Sequence, residues 1–135
     1  MDNKINHLEM IQGVVNRLAH CSFLLKGWSV ILVSALFALA AKDSKAYFIY
    51  LAYLPAIAFW GLDGYYLWQE RLFRALYDRV RAMNDSDIDF SMDTRSVRDQ
   101  VVSWLRVVFS RTILAFHGAI VATITVVTFI ITYIK

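Results

Sequence analysis

Three apolar stretches, each close to bilayer length, constrain this chain more than any other feature. A hydrocarbon core of about 30 Å takes roughly 20 mostly apolar residues as a helix. Residues 26–41 (KGWSVILVSALFALAA, extended upstream by Phe23, Leu24 and Leu25), 46–67 (AYFIYLAYLPAIAFWGL and the tyrosines after it) and 112–134 (TILAFHGAIVATITVVTFIITYI) approach that length. The chain has 135 residues, of which 59% are hydrophobic and 19% charged. A soluble domain carries about 45–50% apolar and about 25% charged residues, so the excess lies in the three blocks. Disorder is excluded by this composition, and a disulfide scaffold by the single cysteine, Cys21. A cleaved signal peptide does not explain the first block, which starts more than twenty residues in and is followed at once by a second block. The expected fold class is all-α: one integral membrane domain, 1–135, with three transmembrane helices.

Lysine and arginine placement sets the orientation. Lys4, Arg17 and Lys26 precede the first block. Arg71, Arg74, Arg79, Arg81, Arg95, Arg98, Arg106 and Arg111 lie between the second and third. Only Lys42, Lys45 and Lys135 lie on the alternate side. The N-terminus and the long connection are therefore expected inside the cell, and the C-terminus outside. Cys21 on the reducing side reads as a packing residue.

The cytoplasmic parts carry helical stripes. Ile5, Leu8, Ile11, Val15 and Leu18 recur at spacings of three and four, so 3–25 reads as an amphipathic helix continuous with the first span. Leu72, Phe73, Leu76, Tyr77 and Val80 continue the second span to residue 83, with Glu70–Arg74 and Arg74–Asp78 at i,i+4. Pro55 is expected to kink that span. Residues 84–93 form a loop. Val97, Val101, Trp104, Leu105 and Val108 then predict a helix, capped at Asp93 or Thr94, that runs into the third span and completes a cytoplasmic helical hairpin over 68–111. One chain gives these stripes a thin core. A homo-oligomer, a tetramer by expectation, would bury more.

A polar layer interrupts the apolar blocks. Lys26 lies sixteen residues from Lys42, Asp63 seventeen from Ala46, and His117 seventeen before Ile134, so the helical rise brings all three to one depth near the cytoplasmic edge. Charges there are costly unless paired or wet. Three readings stand: a Lys26–Asp63 ion pair with His117 nearby, snorkelling to the headgroups, or a pore-lining and gating role. Asp63 is the strongest of the three because a short carboxylate cannot snorkel far, and Gly61 and Gly64 beside it allow close helix approach. Thr125, Thr128 and Thr132 share one face of the third span and are either interhelical hydrogen-bonders or a pore wall.

Arg71, Arg74, Arg79, Arg81, Arg95 and Arg98 are interleaved with Tyr65, Tyr66, Trp68, Phe73, Tyr77 and Trp104. Positive-inside topology against anionic lipid accounts for them. An anionic ligand is the sharper alternative, since guanidinium groups fork onto phosphates and aromatic faces stack bases. The Asp85-x-Asp87-x-Asp89 alternation resembles the start of a calcium loop, yet Phe90 stands where Gly is needed and Ser96 where Glu is needed. It reads as a solvated turn, and no metal or cofactor is expected. His7, His20 and His117 form no H-x-x-x-H pair, and no nucleophile or phosphate-loop motif is present. The chain is not expected to be an enzyme.

The segments LLKGWSVILVSALFALAAKD (24–43) and FWGLDGYYLWQERLFRALYDRVR (59–81) resemble short bacterial membrane effectors of anti-phage defence, of the Hailong ion-channel kind. The resemblance covers about the first 83 residues, and the third span matches in kind only. It implies an oligomeric channel in the bacterial inner membrane, restrained by a single-stranded nucleic acid or nucleotide ligand, opened during infection, and partnered by a nucleotidyltransferase. The alternative from another class is a non-conducting membrane scaffold whose stripes dock a cytoplasmic partner.

Overall fold

In the computed structural model, residues 2–43 and 45–134 are described. Among them all regular structure is helical: α1 (Asp2–Asp43), α2 (Tyr47–Leu51), α3 (Tyr53–Arg81), α4 (Trp104–Val108) and α5 (Arg111–Tyr133), with 3-10 turns at Asp85–Asp87 and Arg95–Gln100. Ser44, in the turn between the first two spans, lies outside the described residues.

α1 is one helix of 42 residues, as its unbroken pattern predicts, and is about 63 Å long at the helical rise. It runs beside α3, and α5 packs against α3 as well. An apolar groove of about 430 Å³, lined in part by Val30, Phe37, Phe116 and Ile120, remains between α1 and α5.

Two apolar clusters lie along this frame. The first joins Val33 and Ala40 of α1, Ile49 of α2, Ala52, Ala56 of α3 and Ile124 of α5. The second joins Ile11 and Val15 of α1, Leu76 and Val80 of α3 and Val97, with Leu8, Phe73, Ile88 and Met92 packed against it. In the second cluster Ile11, Val15, Leu76, Val80 and Val97 of the predicted stripes cover one another within a single chain, while Ile5, Trp104 and Leu105 stay exposed.

α1 and α5 are long and apolar enough to cross a membrane by length and composition. Only 17% of the apolar window of each is buried inside the fold, whereas the core helix of a soluble protein is mostly covered. Large apolar side chains stand out from both, among them Phe23, Trp28 and Ile31 on α1 and Val126 and Phe129 on α5. The expected second span, 46–67, is divided between α2 and α3, and neither meets the same criterion alone. The division falls at Ala52, whose N–H reaches back three residues to the Ile49 carbonyl at 3.1 Å. Pro55 sits in the first turn of α3, where its missing N–H is tolerated, and the backbone of Ala52 between α2 and α3 is itself helical.

The second half of the predicted hairpin differs from expectation. Residues 95–108 do not form one helix running into the third span. A 3-10 turn ends at the extended residue Val101, and Ser103 and Ser110 are extended residues that open α4 and α5. β-branched Val101 and Val102 followed by serine favour extended backbone locally. Tertiary bonds then hold the segment across α3. Trp60 Nε1 donates to the Val108 carbonyl at 2.7 Å, and Trp104 Nε1 donates to the Gly61 carbonyl at 3.1 Å. The first of these occupies a carbonyl that a continuous helix would have used.

Candidate functional site

The polar layer is the best-built site in the molecule, and it lies between the two apolar clusters. Asp63 on α3 is fully buried. Its Oδ2 accepts from Lys26 Nζ at 2.6 Å and from His117 Nε2 at 2.7 Å. Its Oδ1 accepts from the Ser22 hydroxyl. Lys26 Nζ also donates to Ser22 Oγ at 2.9 Å, one helical turn back on α1. Three long helices therefore converge on one carboxylate, and the ion pair expected from depth counting is present.

The surroundings explain why the cluster is fixed. Gly64, next to Asp63, lets α3 approach the Val108 backbone, since a Cβ there would overlap Val108 Cγ1. The His117 ring is stacked on Trp60, with centroids 6.3 Å apart and planes at 11°. Lys26 Nζ lies 5.9 Å from the centre of the Phe116 ring. Lys26 keeps 23% of its side chain exposed, so the layer has a wet edge at the lysine and a dry one at the histidine. Both His117 Nδ1 and Ser29 Oγ are buried without a hydrogen-bond partner among the described residues. Ser22 and Trp60 were not singled out from the sequence. Ser22 had a signal, its i,i+4 relation to Lys26; the role of Trp60 depends on α4 crossing α3.

The threonine face is arranged differently. Thr125, Thr128 and Thr132 donate to the carbonyls of Val121, Ile124 and Thr128, each at 2.8 Å. Their protons are thus spent on their own helix. Among the described residues only the Thr125 hydroxyl also meets another helix, at Tyr53 Oη 2.8 Å away.

The arginines are not gathered into one cradle. Arg74 pairs with Glu70 at 3.4 Å, Arg81 with Asp78 at 3.6 Å and Arg95 with Asp93 at 2.8 Å. Arg98 lies over the Trp68 ring, 5.6 Å from its centre. Arg79 borders a small cavity of about 60 Å³ with His7, Asp89, Ser91, Asp93 and Ser96. Arg71 is half-buried on α3.

The acidic loop is built from turns. Asp89 Oδ1 accepts from the Ser91 N–H at 3.0 Å, Ser91 Oγ from the Asp93 N–H at 3.2 Å, and Asp93 Oδ1 from the Arg95 N–H at 2.9 Å. Asp85 Oδ1 accepts from the Lys4 N–H at 3.1 Å, closing the loop on the start of α1. Among the described residues no group of three or more His, Cys, Asp and Glu side chains could hold a metal ion. Comparison of the chain with family models, with curated proteins and with solved structures finds no match.

Proposed function

We propose that this chain is the subunit of an oligomeric membrane effector that passes ions when its buried polar layer opens. The observation that carries the reading is the convergence of Lys26, Asp63 and His117 on one another from three helices. Ionisable groups inside apolar helical segments are costly, and where they occur they mark ion paths and gates as well as buried pairs. In this reading α1, α5 and the α2–α3 segment are the three spans, with the N-terminus in the cytoplasm of a bacterial inner membrane and the C-terminus outside. Conduction belongs to an assembly, because the apolar cluster around Val33 and Ile124 fills the space outward of Asp63 within one chain. The exposed faces of α1 and α5 are the surfaces on which copies would meet. A role in anti-phage defence, with restraint by an oligonucleotide and a nucleotidyltransferase partner, rests on the resemblance of the first two helices. Of the six arginines, Arg71, Arg79 and Arg98 form no ion pair among the described residues, and exposed Arg79 and Arg98 are the guanidinium groups most available to such a ligand.

A non-conducting scaffold is favoured by one observation: every polar atom of Asp63 is satisfied inside the chain. Flux from vesicles separates the two. Purified protein reconstituted with a trapped ion indicator should release ions, and Asp63→Asn should change the rate without preventing insertion. Protein that inserts and passes nothing, with or without single-stranded oligonucleotide, is a scaffold.

A further inference from the structure

We propose that the cleft between Trp68, Arg98 and Trp104 holds the phosphate of an anionic phospholipid from the cytoplasmic leaflet. The cleft has a volume of about 370 Å³ and is lined also by Val101, Ser103 and Leu105. One rim is cationic. Arg98 is exposed and lies against the Trp68 face. Among the described residues no carboxylate forms a close ion pair with it; Asp93, whose charge acts on Arg98 at longer range, is forked by Arg95. A guanidinium over an aromatic face, with its outer N–H groups free, suits bidentate binding of a phosphate. The other rim is apolar. Leu105 in the lining is 63% exposed with Trp104 exposed beside it, and outside the lining Val102 and Phe109 (65%) are exposed on the same stretch of chain.

Placement and charge both point to lipid. Trp68 lies five residues past Asp63 on α3, about 7–8 Å further toward the cytoplasm. Trp104 is fixed to the Gly61 carbonyl at the level of Asp63. The cleft therefore sits where headgroups meet acyl chains, the depth at which tryptophan anchors are found. From residue 101 to 135 there is no acidic residue, and Arg106 and Arg111 are exposed on the same segment. A nucleic acid would satisfy Arg98 and leave Leu105 and Phe109 in water. A phospholipid covers both rims at once, its phosphate on Arg98 and its chains on the apolar side. This inference rests on the membrane placement proposed above and is independent of conduction.

The test uses the full chain carrying Trp28→Phe, which removes an indole exposed on α1. Phosphatidylcholine vesicles contain either brominated phosphatidylglycerol or an equal fraction of brominated phosphatidylcholine, and tryptophan quenching is read. The anionic lipid should quench at roughly fivefold lower mole fraction, the effect of one arginine at an anionic surface. Arg98→Gln should remove that preference, and Arg17→Gln, exposed on α1 and outside the cleft, should keep it. Equal quenching by the two lipids overturns the proposal, as does a preference that survives Arg98→Gln. Relief of quenching by a soluble single-stranded oligonucleotide assigns the cleft to nucleic acid and also overturns it. Vesicle flotation is read in parallel. Protein that floats without lipid preference removes this site alone, and protein that does not float removes the membrane placement with it.

Discussion

Asp63 on α3 and His117 on α5 meet at 2.7 Å across a separation of 54 residues, and the same carboxylate oxygen takes Lys26 from α1 at 2.6 Å. The carboxylate thus ties all three long helices together. Removing it leaves a lysine inside the layer without its counter-charge, which costs about 3–5 kcal/mol for a fully buried pair. Lys26 retains a wet edge, so the lower end applies. Asp63→Ala should lose about 3 kcal/mol of stability in detergent unfolding. The double replacement Lys26→Met with Asp63→Leu should recover most of it, because a well-packed apolar pair replaces a buried ion pair at little cost. A double variant as unstable as Asp63→Ala would mean that the cluster holds the helices by more than charge.

Gly64 and Gly61 are three residues apart on α3, and their surroundings differ. A Cβ at Gly64 overlaps Val108 Cγ1 and comes within 3.2 Å of the Val108 backbone, whereas at Gly61 the nearest atom is the Trp104 ring at 3.8 Å. Gly64→Ala should therefore destabilise by about 1–3 kcal/mol through overpacking. Gly61→Ala should be neutral or slightly stabilising, since alanine is the better helix former. Thermal unfolding of the two variants side by side checks the α3–α4 crossing. Val108→Ala should relieve part of the Gly64→Ala cost, because it removes the Cγ1 atom.

The sequence showed α1, α5 and the depth register of Lys26, Asp63 and His117, because each rests on a period or a count along one helix. The division of 95–110 was not legible. Val97, Val101, Trp104 and Leu105 keep helical spacing, and the break depends on Trp60 and Trp104 finding carbonyls on a neighbouring element. The partner of each stripe was also out of reach. Ile11 and Leu76 read as apolar positions on two helices, and nothing in their spacing says that they cover each other. Arginine composition misled in the other direction. Six guanidinium groups look like one basic surface until Glu70, Asp78 and Asp93 are placed beside three of them.

Asp93 lies in the loop after α3 and carries a forked contact from Arg95, with Nε at 2.9 Å and Nη2 at 2.8 Å from Oδ2. The Arg95 side chain, and then its backbone N–H, hold the carboxyl at about 2 in place of 3.8. A depressed value means that the folded chain prefers the ionised form. The stabilisation is complete above the unfolded value of 3.8 and is lost as pH falls through about 2. Carboxyl chemical shifts should titrate Asp93 in that low range. In Arg95→Gln the midpoint should rise to that of an ordinary aspartate. An unshifted Asp93 in the parent protein would dissolve the fork.

Phe90 has φ of 56°, the left-handed region that a bulky side chain rarely enters. The loop holds it there. Asp89 and Ser91 are tied in the turn beside it, and its ring lies 5.5 Å from that of buried His7, whose Nε2 donates to the Ser91 carbonyl at 2.8 Å. Strain and ring contact oppose each other, so a single replacement does not isolate either. Two replacements do. Phe90→Gly and Phe90→Val both remove the ring, but only valine keeps the left-handed penalty, about 1–2 kcal/mol for a residue with a Cβ. Phe90→Gly should therefore be more stable than Phe90→Val by about that margin in equilibrium unfolding. Equal stabilities would place residue 90 outside the left-handed region and release His7 from the turn that covers it.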